Sequence, residues 1–101
     1  MAQARLALLA HLEAAPGKEE ELEAFLRSAL PLAREEEGTT TWFAFRIDES
    51  TFGIFDTFAD EEGRQAHLSG PIASSLMEKA PDLLAREPDI KAVDVLEAKL
   101  P

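Results

Sequence analysis

The sequence predicts an α+β fold: an antiparallel sheet of four strands with helices on one face. Three observations predict it. Apolar residues alternate with period two at the start, in the middle and at the end of the chain. Between those stretches the apolar spacing becomes helical. Turn and capping residues, Pro16-Gly17, Asp48 to Thr51, Asp60 and Ser69-Gly70-Pro71, stand where the period changes.

Each element follows in order. From Arg5 to Ala14 the chain reads as a strand, with Leu6, Leu8, Ala10 and Leu12 on one face and Ala7, Leu9, His11 and Glu13 on the other. Pro16-Gly17 turns it. Leu22, Phe25, Leu26, Ala29, Leu30 and Ala33 then recur at helical spacing, and Glu19, Glu20 and Glu21 suit the positive end of the helix dipole. Pro31 should kink or break this helix near Leu30, and Gly38 is a natural stop. Glu35, Glu36 and Glu37 oppose the dipole at its end and read, like Glu19 to Glu21, as a solvated face. Thr39 to Ile47, rich in Thr, Phe and Trp, reads as a strand, and Phe52 to Phe58 returns as its hairpin partner. Gly53 marks a bulge or a close backbone approach. Asp60 is a good N-cap for a short helix to about Leu68, and a second short helix is expected from Ile72 to Lys79. Pro81 and Pro88 punctuate the following segment. Ile90 to Ala98 alternates again and reads as the last strand. The order β-α-β-β-α-β is the split βαβ, ferredoxin-like arrangement.

Composition narrows the function classes. The 101 residues carry 20 Asp plus Glu against 10 Lys plus Arg, a formal net charge of −10. That length is expected to make one domain, residues 1–101. A hydrophobic share of 46% is too high for a disordered acidic tail. The negative charge argues against nucleic acid and against an anionic membrane surface as partners. No cysteine is present, which rules out disulfides, thiolate nucleophiles and cysteine-bound metals. Two histidines with neither HxH nor HxxxH spacing make a poor metal site, so none is expected. No signal peptide or membrane span is visible, and cytoplasm is the expected compartment.

The strand faces point to a partner. Phe52, Ile54 and Phe58 alternate with Gly53, Phe55 and Thr57, while Thr41, Phe43, Phe45 and Ile47 alternate with Trp42 and Ala44. Both faces therefore carry large apolar residues, and one helical layer covers only one of them. A homodimer packed sheet to sheet, closing a barrel-like core, is the simplest solution.

Over nearly its whole length the chain resembles the antibiotic biosynthesis monooxygenase family of dimeric α+β barrels. The resemblance lies in Leu9-Ala10-His11-Leu12 with Pro16-Gly17-Lys18, and in Leu30-Pro31 leading into Arg34-Glu35-Glu36-Glu37-Gly38. It continues in Phe55-Asp56-Thr57-Phe58 with Asp60-Glu61-Glu62, and in Gln65-Ala66-His67-Leu68-Ser69-Gly70-Pro71. It implies a ferredoxin-like protomer, a homodimer and a pocket between helices and sheet. It also implies oxidation of quinols or polycyclic aromatic molecules by dioxygen with no metal, flavin or other cofactor. The sequence departs from the family at several points. Asp56-Thr57-Phe58 stands where relatives often have Glu-x-Trp, Ile72 follows Pro71 where they often have His, and Trp42 stands for a frequent Tyr. With no Asn in the chain, haem degradation is not implied.

Six residues are candidates for a site. His67, with a pKa near neutrality, is placed to take a phenolic proton, or else to tie its helix to the sheet. Asp56, flanked on its face by Ile54 and Phe58, is a second general base if its pKa is raised, or else a partner for Arg46 on the next strand. Trp42, Phe58 and Phe43 belong to an aromatic lining that suits a flat ligand, and the Trp42 indole N–H needs a partner. His11 lines either the dimer interface or the pocket. The expected function is a cofactor-independent monooxygenase acting on an aromatic or quinol-type molecule. The alternative is a non-catalytic small-molecule-binding or stress-associated dimer of the same fold.

Overall fold

A computed structural model describes residues 6–101. The elements are β1 (Leu6–Glu13), α1 (Glu19–Ser28), α2 (Leu30–Arg34), β2 (Thr39–Arg46), β3 (Thr51–Phe58), α3 (Glu61–Leu68), α4 (Pro71–Leu83) and β4 (Asp89–Asp94). The strands form one sheet in the order β2-β3-β1-β4, with every neighbouring pair antiparallel. β3 thus lies between β1 and β2, which is the split βαβ predicted from the element order.

Period two puts Leu8, Ala10 and Leu12 of β1 on the same face as Phe52, Ile54, Asp56 and Phe58 of β3. The helices cover this face. Leu22 and Leu26 of α1 and Leu76, Ala80 and Leu83 of α4 close over Leu12, Phe52 and Ile54 as the main core. Ala29, Ala33 and Ile72 form a smaller cluster, and Trp42 packs against both.

Pro31 behaves as expected. It stands in the first turn of α2, and Ala29 separates α1 from α2. Pro81 does not end α4, which continues four residues beyond the expected Lys79. Ile72, Leu76, Ala80 and Leu83 keep one buried stripe through it, and burying Ala80 and Leu83 outweighs one lost hydrogen bond in the last turn. β4 stops at Asp94, opposite Leu6, short of the expected Ala98. The bulge expected at Gly53 lies instead in β2, between Thr39 and Thr41. Gly53 answers the other expectation, close approach: a Cβ there would sit 2.4 Å from the Phe45 ring and 2.9 Å from the Ala10 carbonyl.

Four devices fix the joints. Gly17, with φ of 83°, takes the left-handed conformation that the turn after β1 demands. Asp48 Oδ1 accepts from the backbone N–H groups of Ser50 and Thr51, closing the hairpin. Asp60 caps α3 by accepting from Gly63 N at 2.8 Å. Gly38 and Gly63 meet backbone to backbone, since a Cβ on Gly38 would lie 2.6 Å from Gly63 Cα.

Candidate functional site

His67 is the one buried residue of α3. It projects from the last turn of the helix toward the covered face of the sheet. There its ring meets the fully buried Phe58 at a centroid distance of 5.3 Å, tilted by 47°. Two carboxylates hold it. Glu36, in the loop between α2 and β2, places Oε1 2.6 Å from Nδ1. Asp56, on β3 and 1% exposed, places Oδ2 3.0 Å from Nε2. The second contact is off line: Asp56 Oδ2 is buried without an aligned hydrogen bond.

The electrostatics follow from this arrangement. Burial disfavours the charged imidazolium, but the Asp56 and Glu36 carboxylates outweigh it and push the His67 pKa up from 6.5 to about 8. A buried carboxylate pair around one imidazole is tolerable while the ring carries a proton, because each charge then has an opposite neighbour.

Glu36 reaches the ring because two glycines, Gly38 and Gly63, let the α2–β2 loop come against α3. The Thr39 hydroxyl donates to Glu36 Oε1 at 2.7 Å, so that one oxygen serves both Thr39 and His67. Glu36 was therefore misread as part of a solvated acidic run. The run surrounds it in sequence, but only its middle member turns inward, and the nearest legible signal is the spacing of glycines around it.

Beside the pair lies a cavity of about 30 Å³, lined by Leu8, Ala10, Ile54, Leu68, Ile72, Ala73, Leu76 and Ile90 together with Asp56 and His67. That volume holds one water or one diatomic molecule. Trp42 sits directly across from Asp56 in the β2–β3 register, and its Nε1 is buried with no partner. Glu36 Oε2 is likewise unpartnered.

Of the six sequence candidates, His67, Asp56 and Phe58 come together, and Trp42 stands next to them. Phe43 and His11 do not. Both lie on the open face of the sheet, on the far side from His67, where Phe43 is 54% exposed and His11 is exposed. The alternation of the strands is the reason, since odd positions of β1 and β2 point away from the helices. The expected pairing of Asp56 with Arg46 is also absent. Arg46 lies at the hairpin end, bound to Glu23 and to the carbonyls of Asp48 and Glu49, with its guanidinium 5.0 Å over Phe52. Among the described residues, no group of three or more His, Asp or Glu is arranged to hold a metal ion, and no helix is long and apolar enough to cross a membrane.

No family model and no curated protein matches the chain. Solved structures do. A Nitrosomonas europaea protein of unknown function is 56% identical, with a TM-score of 0.96 over 100% of this chain and 98% of that one. A Pseudomonas aeruginosa structure is 24% identical, with a TM-score of 0.81 over 96% and 99% of the two chains. A Caulobacter crescentus structure named "putative antibiotic biosynthesis monooxygenase" is 19% identical, with a TM-score of 0.79 over 95% and 93%. The last two share the fold with this chain, and the first shares its sequence as well. The chain therefore belongs to one family with the Nitrosomonas europaea protein of unknown function, and its fold is that of the antibiotic biosynthesis monooxygenases.

Proposed function

We propose that this protein is a cofactor-independent monooxygenase that acts on an aromatic or quinol-type small molecule as a homodimer. The observation that carries the reading is the His67–Asp56 pair, buried at the wall of an apolar cavity. Once the imidazole has lost its proton, above its midpoint near pH 8, such a pair takes a proton from a weakly acidic C–H or O–H group, and the apolar wall holds dioxygen next to the carbanion or phenolate that results. With an anthrone, the methylene carbon gains one oxygen atom as a carbonyl. The second oxygen leaves as water with the two hydrogens, so electrons and atoms balance without a redox cofactor. Leu68, Ile72 and Ile90 of the cavity wall would meet the aromatic body.

The dimer has its own support. Leu9, Phe43, Phe45 and Ile47 stand 37%, 54%, 36% and 61% exposed at the open face and its edge. A second copy laid face to face would cover them. Sedimentation of the purified protein checks this; a single species of 11.1 kDa at micromolar concentration sinks it.

The cavity's size favours one other reading, a binding module without turnover. At about 30 Å³ it admits a ring only if α3 and α4 move off the sheet. Oxygen uptake with a panel of anthrones and hydroquinones separates the two. Uptake above the autoxidation blank that His67→Ala abolishes supports the oxygenase. Thermal shifts by the same ligands without uptake support the module.

A further inference from the structure

The strongest unassigned feature near the cavity is Glu36. It is a carboxylate on a loop, in a run of three glutamates, and its side chain is only 16% exposed. Nothing in the proton-transfer reading requires a second carboxylate on His67. Its geometry is nevertheless the better of the two. Nδ1 to Glu36 Oε1 is a formed hydrogen bond of 2.6 Å, while Nε2 to Asp56 Oδ2 is longer and misaligned. When the imidazolium gives up one proton, the ring keeps the proton with the better acceptor. That acceptor is Glu36.

We propose that Glu36 is a positioning residue that fixes the His67 tautomer: it retains the Nδ1 proton and leaves Nε2 as the basic nitrogen facing Asp56 and the cavity. This rests on the reading of His67 as proton acceptor, and it names what makes that acceptor single-sided. Four contacts hold Glu36 in place for the task. Thr39 donates to the same oxygen that His67 uses, at 2.7 Å. The Glu36 N–H donates to the Ala33 carbonyl, and its carbonyl accepts from Thr39 N, at 3.1 and 3.2 Å. The Gly38–Gly63 contact clamps the loop that carries it against the helix that carries His67. Two titratable groups face the imidazole, Asp56 from β3 and Glu36 from the loop, and a carboxylate on each side would otherwise leave the proton free to choose.

The test reads the proton directly. Nitrogen-15 chemical shifts of His67, above its titration midpoint, report which ring nitrogen is protonated. Wild type is expected to show Nδ1–H with a bare Nε2. In E36Q the amide oxygen still accepts from Nδ1–H, so the tautomer stays while the midpoint falls, one negative charge having gone. In E36A the proton redistributes toward Nε2 and Asp56. A wild-type proton on Nε2, or an E36A spectrum with the tautomer unchanged, overturns the proposal. Because this readout needs no turnover, it separates from the oxygenase reading. Nδ1–H without oxygen uptake upholds the positioning role and defeats the oxygenase, while uptake with the proton on Nε2 does the reverse.

Discussion

Each face of the sheet breaks the usual arrangement of polar and apolar groups in one place. The face under the helices carries Asp56 and receives His67 and Glu36, all buried or nearly so. The face without helices carries Leu9, Phe43 and Phe45 in the open. A water-facing sheet is ordinarily polar outside and apolar inside. Here three ionisable groups sit inside the apolar core that Phe52, Ile54 and Phe58 help to build, and further rings sit at the surface. The covered face tolerates buried charge because the imidazole and the two carboxylates are paired. The open face keeps its rings at no cost only when something covers them. Stability of the protomer should therefore depend on the first face, and assembly on the second.

The largest test of that division is His67→Ala. It strands two carboxylates in the interior, and removing one partner of a buried ion pair costs about 3–5 kcal/mol. Urea unfolding of the variant against wild type measures it; a loss below about 1 kcal/mol would mean the carboxylates reach water and the buried network is not what the geometry describes.

The pH dependence comes next. The folded pKa of His67 is raised from 6.5 to about 8, so the folded state holds a proton that the unfolded chain has released. The associated stability is fully present below pH 6.5 and is lost as the pH rises through about 8. The total is about 2 kcal/mol by linkage. Melting temperature recorded from pH 6 to 9 should fall across that window, and His67→Gln should flatten this part of the curve.

Gly38→Ala tests the clamp. A methyl group 2.6 Å from a backbone carbon cannot be absorbed by rotating a side chain, and overpacking of this kind costs about 1–3 kcal/mol. Chemical denaturation gives the size. The His67 titration midpoint should drop as well, because Glu36 is carried away with the loop.

The smallest effect on the protomer is expected from Phe43→Ser on the open face. An exposed substitution changes folding stability by under about 0.5 kcal/mol. The same variant should dissociate the proposed dimer in a sedimentation experiment, and a dimer that persists would place the interface elsewhere.

The fold was legible because it is written in periodicity. Leu6 to Leu12 and Phe52 to Phe58 keep one apolar face at period two, broken only by Asp56, and Leu22, Leu26 and Ala33 switch to the helical period after an unambiguous turn. Pro81 misled because a proline signals a helix end only when burial does not continue past it, and Ala80 and Leu83 continue it. The site was legible in half. Asp56 betrayed itself as a carboxylate between apolar neighbours on one strand face, and His67 as a histidine on a helix with little else to bury. Glu36 was invisible for the opposite reason. Flanked by Glu35 and Glu37, it has no local contrast, and its partner lies 31 residues away. Phe43 and His11 lie on the open face, away from His67, where His11 meets the alternative of lining the face proposed for the dimer.

The seam between Gly38 and Gly63 has a consequence for how such a sequence diverges. Most packed contacts can drift, since a residue that grows on one side is matched by one that shrinks on the other. Here neither residue has a side chain left to give up. The two positions form a joint constraint with no compensating exchange, so descendants of this chain can escape it only by changing the length or path of the loop, and with it the reach of Glu36.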